Sequence, residues 1–87
     1  MTKHLNINIS GRVRGVGFRF CAYEKFVELG LVGKAENIQE GVLIDVEGPE
    51  ERMENLIEWC RRGPTGARVE NVEVTEISTP FVPLKNA

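Results

Sequence analysis

The residues with the most chemical potential lie in the stretch Gly11-Arg12-Val13-Arg14-Gly15-Val16-Gly17-Phe18-Arg19, which holds three glycines, three arginines and no acid in nine positions. Glycines at this density let the backbone enter left-handed conformations and turn successive N–H groups to one side, which makes a concavity for an anion. A helical pattern follows at once, so its first turn adds N–H groups without helical acceptors and the positive end of its dipole. Arg19 falls at the start of that helix, where its planar fork can grip two oxygens of a phosphoryl group. A cation there opposes the dipole, an arrangement that makes sense if an anion sits between the two. Arg12 and Arg14 read as solvated or steering charges. Taken alone, the same loop also fits a surface turn carrying solvated arginines.

The elements that position this loop follow from hydrophobic spacing. Leu5, Ile7 and Ile9 alternate with Asn6, Asn8 and Ser10, the pattern of a strand with one apolar face. After the loop, Phe18, Ala22, Phe26 and Leu29 recur at helical spacing, and Gly30 suits the helix end. A second strand spans Val32 to Ile38. Gln39-Glu40-Gly41 connects it to a third, in which Val42, Ile44 and Val46 alternate with Leu43, Asp45 and Glu47. Gly48-Pro49-Glu50-Glu51 opens a second helix with buried positions at Met53, Leu56, Ile57 and Cys60, closed by Arg61-Arg62-Gly63-Pro64. Val72 and Val74 mark the last strand, with a bulge or strand end near Glu76.

The order β-α-β-β-α-β predicts an α+β fold, a ferredoxin-like sandwich with an antiparallel four-stranded sheet in strand order 4-1-3-2 and both helices on one face. Residues 1–87 read as one domain, with 78–87, containing Pro80 and Pro83, as a loose tail or a short edge strand. In this topology the second strand ends on the same rim as the glycine loop, two strand spacings away, or roughly 10 Å. The polar residue at that end is Asn37, and the gap has room for a phosphoryl group and a water.

Composition narrows the field. The chain has 87 residues and a net charge of −2, while the loop from Gly11 to Arg19 carries +3, so the remainder is acidic. An acidic body with one basic spot suits a small anion and argues against nucleic acid, which needs a broad basic face. The strands expected at the centre of the sheet also lack the aromatic residues on which RNA-binding modules of this element order stack bases. No apolar run is long enough to span a bilayer and the N-terminus lacks a signal-peptide core, so the reading is cytoplasmic and without a membrane partner. A small acidic domain without an obvious apolar patch reads as a monomer. Cys21 and Cys60 have no metal-ligand spacing and His4 lies far from both, so no metal or other cofactor is expected. The two cysteines read as buried thiols, with a Cys21–Cys60 bridge as the alternative because the topology brings them to one end of the domain. His4 reads as a surface residue on an edge strand. Asp45, Glu47, Glu73 and Glu76 read as water-facing strand residues.

Gly11 to Arg19, then Leu29-Gly-Leu-Val-Gly33, Asn37, Glu40-Gly41-Val42 and Gly63-Pro-Thr-Gly-Ala67-Arg-Val69 together resemble the acylphosphatase family over nearly the whole chain. The resemblance implies hydrolysis of the carboxyl-phosphate bond of small acyl phosphates, with inorganic phosphate as product and competitive ligand. It also implies that Arg19 binds the phosphate, that Asn37 orients the attacking water, and that N–H groups of Gly15, Val16, Gly17, Phe18 and Arg19 cradle the phosphoryl oxygens. The chain departs from the family at Lys34-Ala35-Glu36, where an aromatic, an aliphatic and a basic residue are usual, and at Phe81-Val82-Pro83, which matches the family's C-terminal strand poorly. Strand alternation should turn Glu36 away from the face that carries Asn37. The alternative is a non-catalytic, anion-binding regulatory module of the same fold, which would keep the loop but have no need of Asn37.

Overall fold

A computed structural model describes residues 1–82. Strand β1 (Thr2–Arg12) leads through the glycine loop into helix α1 (Phe18–Leu29), followed by β2 (Val32–Ile38) and β3 (Gly41–Pro49). Helix α2 (Glu50–Arg62) and strand β4 (Arg68–Glu76) complete the β-α-β-β-α-β order. The strands form one antiparallel sheet in the order β2-β3-β1-β4, as expected from the sequence.

Alternation along the two central strands builds the core. Leu5, Ile7 and Ile9 of β1 pair directly with Val46, Ile44 and Val42 of β3, and all six side chains are buried. The helices cover that face, α1 lying over β2 and α2 over β1, β3 and β4. Helix α1 contributes Phe18, Ala22, Phe26 and Leu29, and stops where Gly30 turns left-handed and returns its N–H to the helix carbonyls. Helix α2 carries Glu50 and Glu51 in its first turn and Arg61 and Arg62 in its last, each set at the end of the dipole that favours it. Its buried stripe is Met53, Leu56, Trp59 and Cys60, with Ile57 only half-buried. Trp59 is drawn inward because Phe18 offers it a ring, 5.1 Å away between centroids.

Several local readings need correction. Strand β4 ends at Glu76, one of the two alternatives read there, while a bulge that the sequence did not announce lies between Ser10 and Gly11, where register shifts and Glu70 of β4 is the extra residue. His4 is not on an edge: β1 is interior, and His4 is only 8% exposed. Its two ring nitrogens face the Asp45 carboxylate and the Thr79 carbonyl. Both partners are acceptors, so the imidazolium form, with a proton on each nitrogen, satisfies both at once. Burial alone would lower the His4 pKa, but the Thr79 and Asp45 hydrogen bonds and the charges of Asp45 and Glu47 outweigh it and raise the value. Asp45 and Glu76 are accordingly not idle surface acids, since Glu76 accepts from Lys3 at 3.1 Å.

No strand is formed over residues 77–82, but the segment is attached: the Ile77 N–H donates to the His4 carbonyl at 2.7 Å, and the Phe81 ring meets the His4 ring edge-on at 6.0 Å. The tail reading beyond residue 82 lies outside the described residues. Cys21, half-buried, and Cys60, buried, are both free thiols, so the bridge is not formed. Burial pushes the Cys60 thiol up to about 12, against a smaller opposing effect of Arg61.

Candidate active site

The loop between β1 and α1 is pinned at both ends by core residues. Val13 is 1% exposed and Phe18 is 2% exposed, so the turn from Arg14 to Gly17 stands out from a fixed base. Gly15 and Gly17 have φ of 78° and 77°, and a Cβ at either would meet nothing within 4 Å. Space is therefore not the constraint. The left-handed backbone is, and it would cost an ordinary residue about 1–2 kcal/mol.

Gly17 is the N-cap of α1 and provides no side chain to cap it. The first helical bond runs from the Cys21 N–H to the Gly17 carbonyl at 3.0 Å, which leaves the N–H groups of Phe18, Arg19 and Phe20 without helical acceptors. The first turn of α1 contains no acid, in contrast to the two glutamates that open α2. Among the described residues no carboxylate forms an ion pair with Arg12, Arg14 or Arg19. The positive end of this helix is thus left for an external anion.

Asn37 lies opposite Val42, one residue before the end of β2. Ala35, two positions earlier, is buried against the helices, so alternation turns Asn37 to the same side and Glu36 to the other. Glu36 instead borders a separate depression beside Lys34 and Phe81. Three contacts tie β2 and the turn after it to β1, the loop and α1. The Gly11 N–H donates to the Glu40 carbonyl at 3.3 Å, and Arg14 Nη1 donates to the Ile38 carbonyl at 3.5 Å. The third comes from Tyr23, one turn beyond Arg19, whose hydroxyl accepts the Ala35 N–H at 3.0 Å. That hydroxyl also lies 3.5 Å from the Ala35 carbonyl, to which it donates.

These supports produce a hollow of about 230 Å³ lined by Val13, Arg14, Gly15, Gly17, Phe18, Arg19, Phe20 and Asn37. Arg19 and Asn37, eighteen residues apart in sequence, therefore border one space. Val16 does not line it; its half-buried side chain packs against the core. Arg14, read from the sequence as a solvated or steering charge, is part of the wall. Phe20 joins it without a motif to announce it, although its position outside the Phe18, Ala22, Phe26 and Leu29 stripe is visible in the sequence. The wall carries two guanidinium groups and no acid, and its free donors are N–H groups. This is the donor set of an anion site.

Fold and hollow together define a ferredoxin-like domain with an anion-suited cleft at the loop end of its sheet. The acylphosphatase family model matches residues 5–82, and the chain belongs to that family. It is 43% identical over 74 residues to an acylphosphatase of Caldanaerobacter subterraneus subsp. tengcongensis, covering 84% of this chain and 82% of that one. It is 49% identical over 67 residues to an acylphosphatase of Thermus thermophilus, covering 76% of each. Its fold superposes on the structure of an acylphosphatase from Coxiella burnetii with a TM-score of 0.87 and 32% identity, covering 94% of this chain and 87% of the other. Its activity is that of the family, the hydrolysis of small acyl phosphates to carboxylate and phosphate. No helix among the described residues is long and apolar enough to cross a membrane.

Proposed function

We propose that Arg19 and Asn37 are the catalytic pair of this acylphosphatase, with the N–H groups from Gly15 to Arg19 as the phosphoryl cradle. The observation that carries the assignment is the place of Arg19 and Asn37 on one hollow. An acyl phosphate loses a carboxylate whose conjugate acid has a pKa of about 4, so the leaving group departs without a general acid. Phosphoryl transfer passes through a loose transition state, and catalysis reduces to placement and charge stabilisation. The Arg19 fork and the loop N–H groups stabilise the equatorial oxygens. The Asn37 carboxamide oxygen accepts a hydrogen bond from the water and holds it in line with the departing carboxylate. The water's proton passes to a non-bridging phosphoryl oxygen. Water oxygen bonds to phosphorus, the bond from phosphorus to the acyl oxygen breaks, and that oxygen keeps the electron pair. Arg14 adds positive charge at the rim while tying the loop to β2.

In this scheme no metal takes part, inorganic phosphate competes with substrate, and the chain works as a cytoplasmic monomer. The scheme is tested with benzoyl phosphate and two variants. Arg19→Ala should weaken both phosphate binding and turnover, and Asn37→Ala should abolish turnover alone. Undiminished hydrolysis in either variant would contradict the role assigned to that residue.

A further inference from the structure

Helix α1 buries Phe18, Ala22, Phe26 and Leu29 and has no packing use for Phe20, which is 68% exposed. A single exposed aromatic means little by itself. This one, however, immediately follows Arg19 and borders the same hollow as Arg19 and Asn37. The hollow holds about 230 Å³, below the roughly 300–1,000 Å³ of pockets that enclose a whole organic ligand. A phosphoryl group and its attacking water fill such a space, and the acyl group must emerge over the rim. Phe20 supplies an apolar ring at that rim, whereas the other side chains reaching it are the polar groups of Arg14, Arg19 and Asn37.

We infer that Phe20 is a specificity-determining residue that packs against the acyl group and favours acyl phosphates with an aromatic acyl group over those with a short one. The inference rests on the reading that this hollow is the catalytic one. An aromatic acyl group gains ring-to-ring contact with Phe20 in both the bound complex and the transition state, so the preference enters mainly through KM. An acetyl group is too small to make that contact.

The test compares kcat/KM for benzoyl phosphate and acetyl phosphate in the unaltered chain, in Phe20→Ala and in Phe20→Trp. Aromatic pairing of ordinary strength predicts that the benzoyl-to-acetyl ratio falls about three- to tenfold in Phe20→Ala. The fall should appear as a raised KM for benzoyl phosphate, and Phe20→Trp should keep the ratio. A ratio unchanged in Phe20→Ala, with both substrates still hydrolysed, overturns the inference and leaves the catalytic hollow standing. Full activity on both substrates in Arg19→Ala would instead overturn the underlying reading, and the inference with it.

Discussion

Tyr23 offers a way to test whether the distance across the hollow is set by the fold. Its hydroxyl accepts the Ala35 N–H at 3.0 Å, joining α1 one turn past Arg19 to β2 two residues before Asn37. Removing the oxygen in Tyr23→Phe keeps the ring, which packs edge-on against Phe26 at 5.5 Å. What is lost is the hydrogen bond from the outward-facing Ala35 N–H of an edge strand, worth about 1 kcal/mol net, together with the longer 3.5 Å bond to the Ala35 carbonyl, which adds little. For a domain of this size that corresponds to a melting temperature lower by roughly 4–8 °C. Catalysis should suffer more than stability, because β2 is then free to move away from α1. A displacement of about 1 Å in a positioned group can cost on the order of 10²-fold. We expect kcat for benzoyl phosphate to fall by about tenfold or more, measured well below the melting temperature, with KM nearly unchanged because Arg19 and the loop are untouched. A variant with the lowered melting temperature but full kcat would refute the positioning role and leave Tyr23 a purely structural residue.

Two further outcomes follow from titratable groups away from the hollow. The raised His4 pKa means that the folded state binds the proton more tightly than the unfolded chain. The stabilisation from the imidazolium between Asp45 and Thr79 should therefore be complete below about pH 6.5, the ordinary histidine value, and be lost as pH rises through the raised one. Melting curves between pH 5 and 9 should show this decline and His4→Gln should flatten it; an unaltered slope in the variant would exclude His4 as its source. Cys60, buried and pushed up to about 12, should resist alkylation in the native protein at neutral pH while half-buried Cys21 reacts. Two thiols should titrate in denaturant without reductant, and fewer would mean that a bridge forms.

The parts of the site legible in the sequence are those encoded locally. The glycine density of the loop calls for left-handed backbone, and the structure has it at Gly15 and Gly17. The spacing of Ala35 and Asn37 is enough to place both on one face of β2. The hidden parts depend on partners distant in the chain. Tyr23 reads as one more aromatic on a helix until β2 is laid beside it. Arg14 is exposed, as the sequence suggests, but its bond to the Ile38 carbonyl emerges only when the end of β2 is laid beside the loop. His4 reads as a surface residue because its burial depends on Asp45 and on the segment after β4, neither of which a strand pattern reveals. Trp59 displaces Ile57 from the buried stripe because α1 supplies a second wall for α2, and a single helix pattern shows only the wall formed by the sheet. The Glu70 bulge likewise reflects pairing with β1.

The proposed mechanism turns on a division of labour in which Asn37 would act on the water while Arg19 and the loop would hold the phosphate. It is probed most sharply by measuring inorganic phosphate affinity and benzoyl phosphate turnover on the same sample of Asn37→Ala. Phosphate should bind with close to the affinity of the unaltered chain while turnover falls by at least about 10²-fold, the scale of losing one preorganised catalytic contact. Turnover retained in that variant, or lost only in step with phosphate affinity, would show that Asn37 does not have this role.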